Sequence, residues 1–158
     1  MIDYYALPPS GEGRAWPSRA AASMAPLSER ALMVEQGMAA SILEEMGTSW
    51  DSRLFMPFVV MHEFEALLFS DCEAFARAIN QEKLAPKLRE IRKQFNNPEE
   101  IDDSPATHPS RRVTELMRSY KKPVFGVRAA QAIGLDRMRA ECPHFAEWLG
   151  RLEALPHR

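Results

Sequence analysis

Apolar and polar positions along the chain divide it into short segments of different period. Ile2 to Tyr5 in MIDYYALP reads as a short strand ending in a turn at Pro8 and Pro9. A loop rich in Pro, Gly, Ser and Ala follows, Pro8 to Pro26. Ala31, Val34, Met38, Ile42 and Met46 then recur at three or four, which predicts a helix capped by Ser28 and ended by Gly47. Leu54 to Met61, LFMPFVVM, is a continuous apolar run of strand length, with Pro57 arguing for an edge or a bulge. EALLF opens the next helix. Further short helices are predicted over Glu73–Asn80, Leu84–Phe95, Arg111–Tyr120, Val124–Ile133, Leu135–Glu141 and Pro143–Leu155, with a helical turn at Pro98–Ile101 and Gly134 as a stop. Phe145, Trp148, Leu149, Leu152 and Leu155 stripe the last helix.

Many helices around two strands make an α/β class that is mostly helical by residue count. Two lone strands make a poor sheet, so the pattern points to an α/β core incomplete at its N-terminus. A chain of 158 residues suits one domain, 1–158, with a helical C-terminal half from about residue 72. An unpaired strand at Ile2–Tyr5 would leave a sheet edge open to pairing with another chain, a route to a homo-oligomer.

Composition narrows the function classes. Apolar residues are 46% and charged residues 27%, the balance of a globular protein, and the net charge of −2 excludes a general polycation. Nucleic-acid binding would need a local patch. No apolar stretch has the length of a membrane span and no basic leader opens the chain, so a cytoplasmic protein without a membrane partner is expected. Cys72 and Cys142 form no CxxC and are expected as free, semi-buried thiols. Cys142 and His144 lack the paired spacing of a structural zinc site. His108 and His144 are isolated and read as loop or cap residues.

The candidate chemistry gathers at HEFEALLFSD, His62 to Asp71, where an apolar run stops and a second begins. In a helix starting at His62, His62 and Glu65 would share a face and could hold one metal ion or one water. Glu63 and Glu65 would share a face only on a strand. The plainer reading is a carboxylate favoured in the first helical turn by the dipole, beside a boundary histidine. Position adds to the functional reading, because ligands of open α/β sheets gather at the carboxyl ends of strands. Asp3, at the end of the first strand, would add a metal carboxylate, suiting a magnesium or manganese ion in phosphodiester chemistry. Arg111, Arg112, Arg118, Lys121, Lys122 and Arg128 outweigh the single acid Glu115 in their segment. Arg111, Arg112 and Lys122 are the candidate phosphate contacts. No P-loop, GxGxxG, GxSxG or HExxH is present.

The segments IDYYALP, RLFMPFVVMHEFEALLFSD, NPEEIDD, PSRR, Tyr120-Lys121-Lys122, Gly126, Ile133 to Leu135 and ECPHFAEWLGRLE resemble a bacterial family called domain of unknown function 4276. The resemblance runs from Ile2 to about Leu155. That family looks in turn, more distantly, like TOPRIM domains, the α/β metal-binding fold of topoisomerases, primases and related nucleases. The resemblance implies a TOPRIM-like core, magnesium, and cutting or joining of nucleic-acid phosphodiesters, with catalytic Glu65, His62 and Asp3 and a metal on Asp3, Glu63 and Glu65. It also implies a place in phage defence beside a neighbouring ATPase. Two departures stand out. The TOPRIM DxD pattern would fall on Asp3-Tyr4-Tyr5, where only the first acid is present, and the glutamate strand expected ahead of it is not in this sequence. Arg111 stands where the family usually has lysine, which keeps the charge and changes the hydrogen-bond geometry. These departures frame the alternative expectation, a catalytically silent subunit that docks on an ATPase or on nucleic acid.

Overall fold

A computed structural model of the chain describes residues 1–9, 15–61, 63–101 and 109–156, with Ser110 and Lys122 described by backbone alone. The fold is mostly helical with one small parallel sheet, an α/β arrangement. Contacts group the chain into two compact units, Met1–Met61 with Gly150–Arg158, and His62–Leu149.

The first unit holds the sheet. β1 (Ile2–Asp3) and β2 (Val59–Val60) run parallel, with Ile2 opposite Val59 and Asp3 opposite Val60. The Ile2 amide donates to the Phe58 carbonyl at 2.9 Å. Both strands are shorter than the apolar pattern predicts, for local reasons. The Asp3 carboxylate accepts the Tyr5 amide at 2.8 Å and turns the chain into a 3-10 turn, Tyr4–Ala6, which ends β1 before Tyr5. Asp51 does the same for a 3-10 turn over Ser52–Leu54, and Pro57 has no amide to give a ladder.

Two helices cover this sheet, α1 (Arg19–Ala22) and α2 (Leu27–Met46). Tyr4, Leu7, Ala22, Ala31, Val34, Met38, Val59 and Met61 form the unit's core. Arg19 is buried there: its guanidinium lies 3.6 Å from the Tyr4 ring centroid, and it donates to the Tyr4 hydroxyl at 2.9 Å and the Tyr4 carbonyl at 3.2 Å. Cation–ring attraction and two hydrogen bonds together compensate the buried charge. The buried Glu35 of α2 accepts the Val59 amide at 2.7 Å. Helix α2 starts one residue ahead of Ser28, with Pro26 at the cap and the Glu29 amide on the Pro26 carbonyl, so Ser28 lies inside the helix and does not cap it. Gly47 ends it as expected, at φ +79°.

The second unit packs short helices: α3 (Glu65–Leu68), α4 (Cys72–Ala78), α5 (Ala85–Arg92), α6 (Pro109–Leu116), α7 (Val127–Ile133) and α8 (Leu135–Glu141). The last helix, α9 (Pro143–Glu153), begins in this unit. Leu67, Leu68, Phe69, Phe75, Ile79, Leu88, Ile101, Val113, Ala129 and Phe145 are buried. The Asp71 carboxylate caps α4 through the Ala74 amide at 2.8 Å. The expected turn at Pro98 is a 3-10 turn, Pro98–Glu100, and from it Glu99 accepts the His144 and Phe145 amides at 2.9 Å each, closing the start of α9. α6 begins and ends earlier than its predicted 111–120 span, and a π turn at Lys122–Gly126 precedes α7, so the predicted start at Val124 moves to Val127. α8 has the predicted bounds, and Gly134, at φ +81°, separates it from α7.

Candidate functional site

The apolar run ends at Met61, which is buried, and the polar stretch follows. His62 lies outside the described residues. Helix α3 begins at Glu65, with Phe64 at its cap position, and Glu63 precedes the helix. The helix starts at Glu65, where EALLF places it, so the condition under which His62 and Glu65 would share a helical face is not met. The chain uses Glu63 and Phe64 to enter the helix, with the Ala66 amide on the Glu63 carbonyl at 2.9 Å and the Leu67 amide on the Phe64 carbonyl at 3.1 Å.

Glu65 is 2% exposed and Glu63 is half-buried. A glutamate at the first helical position gains from the dipole, yet that gain is available at the surface and does not require burial. Burial of a carboxylate is costly unless other groups compensate it. A neighbour that feels the Glu65 charge is Tyr120. Its side chain is 8% exposed, stacks on Phe125 with ring centroids 5.9 Å apart and meets Phe75 edge-on at 6.3 Å. Burial, then the charges of Glu65 and Glu63, push the Tyr120 phenol above its usual range. It is therefore a protonated donor at neutral pH. Its oxygen has no hydrogen-bond partner among the described residues.

The other sequence-chosen residues are placed as follows. Asp3 belongs to the first unit, at the carboxyl end of β1, and its carboxylate is engaged with the Tyr5 amide. Arg111 and Arg112 are consecutive on α6, so their side chains diverge by about 100°. Arg111 is exposed and pairs with Glu115 at 3.1 Å, and Arg112 lies 5.7 Å from the Phe95 ring centroid. The Lys122 side chain and His108 lie outside the described residues. Among the described residues no group of three His, Cys, Asp or Glu side chains converges as a metal cage.

A family model described as domain of unknown function (DUF4276) matches residues 1–153. The chain belongs to this family. No curated protein and no solved structure matches it. Two of the segments that resemble the family have concrete roles here. HEFEALLF supplies the buried Glu65 and its entry turn, and CPHFAEWL supplies the start of α9 that Glu99 closes. Tyr120, from a third family-like segment, was not among the sequence-chosen residues. Its only signal there is an aromatic residue directly ahead of Lys121 and Lys122.

The two cysteines are free and both buried, deeper than the sequence expectation. Burial raises each thiol to about 12, with Glu73 adding to the rise at Cys72 and a Ser70 hydrogen bond partly offsetting it at Cys142. Neither is a nucleophile at neutral pH. No helix among the described residues is long and apolar enough to cross a membrane.

Proposed function

We propose that this DUF4276 protein is a metal-dependent, TOPRIM-related phosphodiesterase acting on nucleic acid. The observation that carries the reading is Glu65: a carboxylate buried at the start of α3, with Glu63 two residues before it and the Tyr120 hydroxyl in reach of both their fields. Two carboxylates fit magnesium, which keeps several waters and takes its remaining ligands from phosphate oxygens. A bound magnesium ion would lower the proton affinity of a coordinated water and offset phosphate charge. Glu65 and Glu63 would hold the cation, and burial would keep the Glu65 carboxylate from competing waters. Tyr120 would keep its proton and donate to an oxygen of the bound group. The family resemblance alone is the ground for the roles of Asp3 as a metal carboxylate and of His62 as an assisting group. The family resemblance adds a neighbouring ATPase as partner and phage defence as setting.

The test is magnesium- or manganese-dependent nicking of plasmid DNA and of RNA, with metal binding followed by calorimetry. Glu65→Gln keeps the shape and removes the charge, and is expected to lower metal affinity and cutting by about 100-fold. Asp3→Asn forms a second arm. A Glu65→Gln protein that is folded and binds and cuts like the parent overturns the reading.

A specific observation favours the second reading, a silent docking subunit: the Asp3 carboxylate serves as a local cap on the Tyr5 amide. In that case the parent protein binds nucleic acid or an ATPase and shows no metal-dependent heat.

A further inference from the structure

Besides the Glu65 region, the second unit carries a cleft to which no role has been given. It is a cavity of about 350 Å3 bounded by the Phe69–Glu73 segment, α5 and α8. Four cations line it, Arg89, Arg92, Lys93 and Arg137, against three carboxylates, Asp71, Glu73 and Glu141.

The donors divide into spent and unspent. Arg92 is spent: it donates to the Phe95 carbonyl at 2.9 Å, the Asn96 carbonyl at 3.3 Å and Glu141 at 3.1 Å. Arg137 donates through Nε to the Ser70 carbonyl at 3.2 Å and pairs through Nη1 with Glu141 at 3.3 Å, leaving Nη2 uncommitted. Arg89 pairs through Nε with Glu73 at 3.1 Å, leaving both terminal nitrogens. Lys93 has no partner among the described residues. The carboxylates are already engaged: Asp71 caps α4, Glu73 holds Arg89, and Glu141 is shared by two guanidiniums. Glu141 cannot neutralise both Arg92 and Arg137, and Lys93 adds a further positive charge.

Cations near the end of α5 already complement its dipole. That gain requires neither a cavity nor Arg137, which comes from a different helix and is held by Ser70 and Glu141. Guanidiniums with N–H groups unspent among the described residues, and an ammonium, approaching from two helices, match a tetrahedral oxyanion better than a planar one, since each donor can meet a separate oxygen. We infer that this cleft binds a phosphate group through Lys93, Arg89 and Arg137. The site does not depend on Glu65 or on a metal.

The experiment titrates the full chain, without divalent metal, with inorganic phosphate and separately with a single-stranded oligonucleotide. Lys93→Glu and Arg89→Ala are each expected to weaken binding by about tenfold or more while leaving the melting temperature close to the parent's, because the exposed Lys93 side chain has no hydrogen bond or ion pair among the described residues and Arg89 makes one surface pair. Arg53→Ala, an exposed arginine of the first unit that pairs with Asp51 and belongs to no proposed site, serves as the control and should bind as the parent does. Oligonucleotide binding that weakens with these variants and loses salt dependence identifies a nucleic-acid backbone as the source of the phosphate. Binding of phosphate alone identifies a small phosphorylated ligand. A parent that binds neither probe, or variants that bind as the parent does, overturns the inference.

Discussion

Tyr120 shows how much a single buried hydroxyl can report. It is 8% exposed, its oxygen has no partner among the described residues, and burial, then two carboxylates, raise its proton affinity. A buried hydroxyl without a partner costs about 1–3 kcal/mol of desolvation. Tyr120→Phe is therefore expected to leave the stability of the ligand-free protein unchanged or raise it by about 1 kcal/mol in urea unfolding. A clear loss of stability would mean that the hydroxyl is already bonded. The residue scale is also where sequence reading was least informative. Glu65 was picked out by its place after an apolar run, and it proved to be buried at a helix start. EALLF opens its helix at Glu65, as the apolar pattern has it, so the alternative pairing with His62 on one helical face has no helix to rest on. Tyr120, Lys93, Arg89 and Arg137 carry no local pattern, since their significance lies in what the fold sets beside them.

Elements were more legible than residues, and their ends least of all. Leu135–Glu141 was readable to the residue because Gly134 stops one helix and starts the next. The two strands shrank for a different reason: side chains of Asp3 and Asp51 take backbone amides and turn the chain, an interaction that a hydrophobic pattern does not register. The start of α9 depends on a residue far away in sequence. Glu99 accepts the amides of both His144 and Phe145, a cap supplied by another element. Glu99→Ala is expected to cost about 1–2 kcal/mol, the range of a lost N-cap, and to increase amide exchange at the first turn of α9 before other helices. Exchange measured by mass spectrometry on peptides covering residues 142–149 checks this. Unchanged protection there would show that α9 holds its first turn without Glu99.

At the scale of the whole molecule, the class was legible and the division into two units was not. Alternation and helical periods gave an α/β chain dominated by helices, and the structure has this character. Periodicity describes which face of an element is apolar but not which other elements it meets, so the closing of Gly150–Arg158 onto the first unit's residues was invisible. Global stability carries a pH signature from the two buried thiols. Below about pH 8, folded and unfolded thiols both keep their protons and the thiols leave stability unchanged. Between about 8.5 and 12 the unfolded chain loses protons that the folded chain keeps, so stability falls as pH rises. Unfolding midpoints at pH 8, 9.5 and 10.5, compared with those of a Cys72→Ala, Cys142→Ala protein, check this. The parent should show the steeper fall.

Glu35 has a consequence for how the sheet can grow. In a parallel pair, successive amides point to opposite sides. The Ile2 amide bonds into the sheet, and the Val59 amide faces outward, where the Glu35 carboxylate takes it at 2.7 Å. A strand arriving on that side would have to displace a buried carboxylate. The sheet is therefore closed beyond β2, where any third strand, from this chain or another, would find its seat already taken.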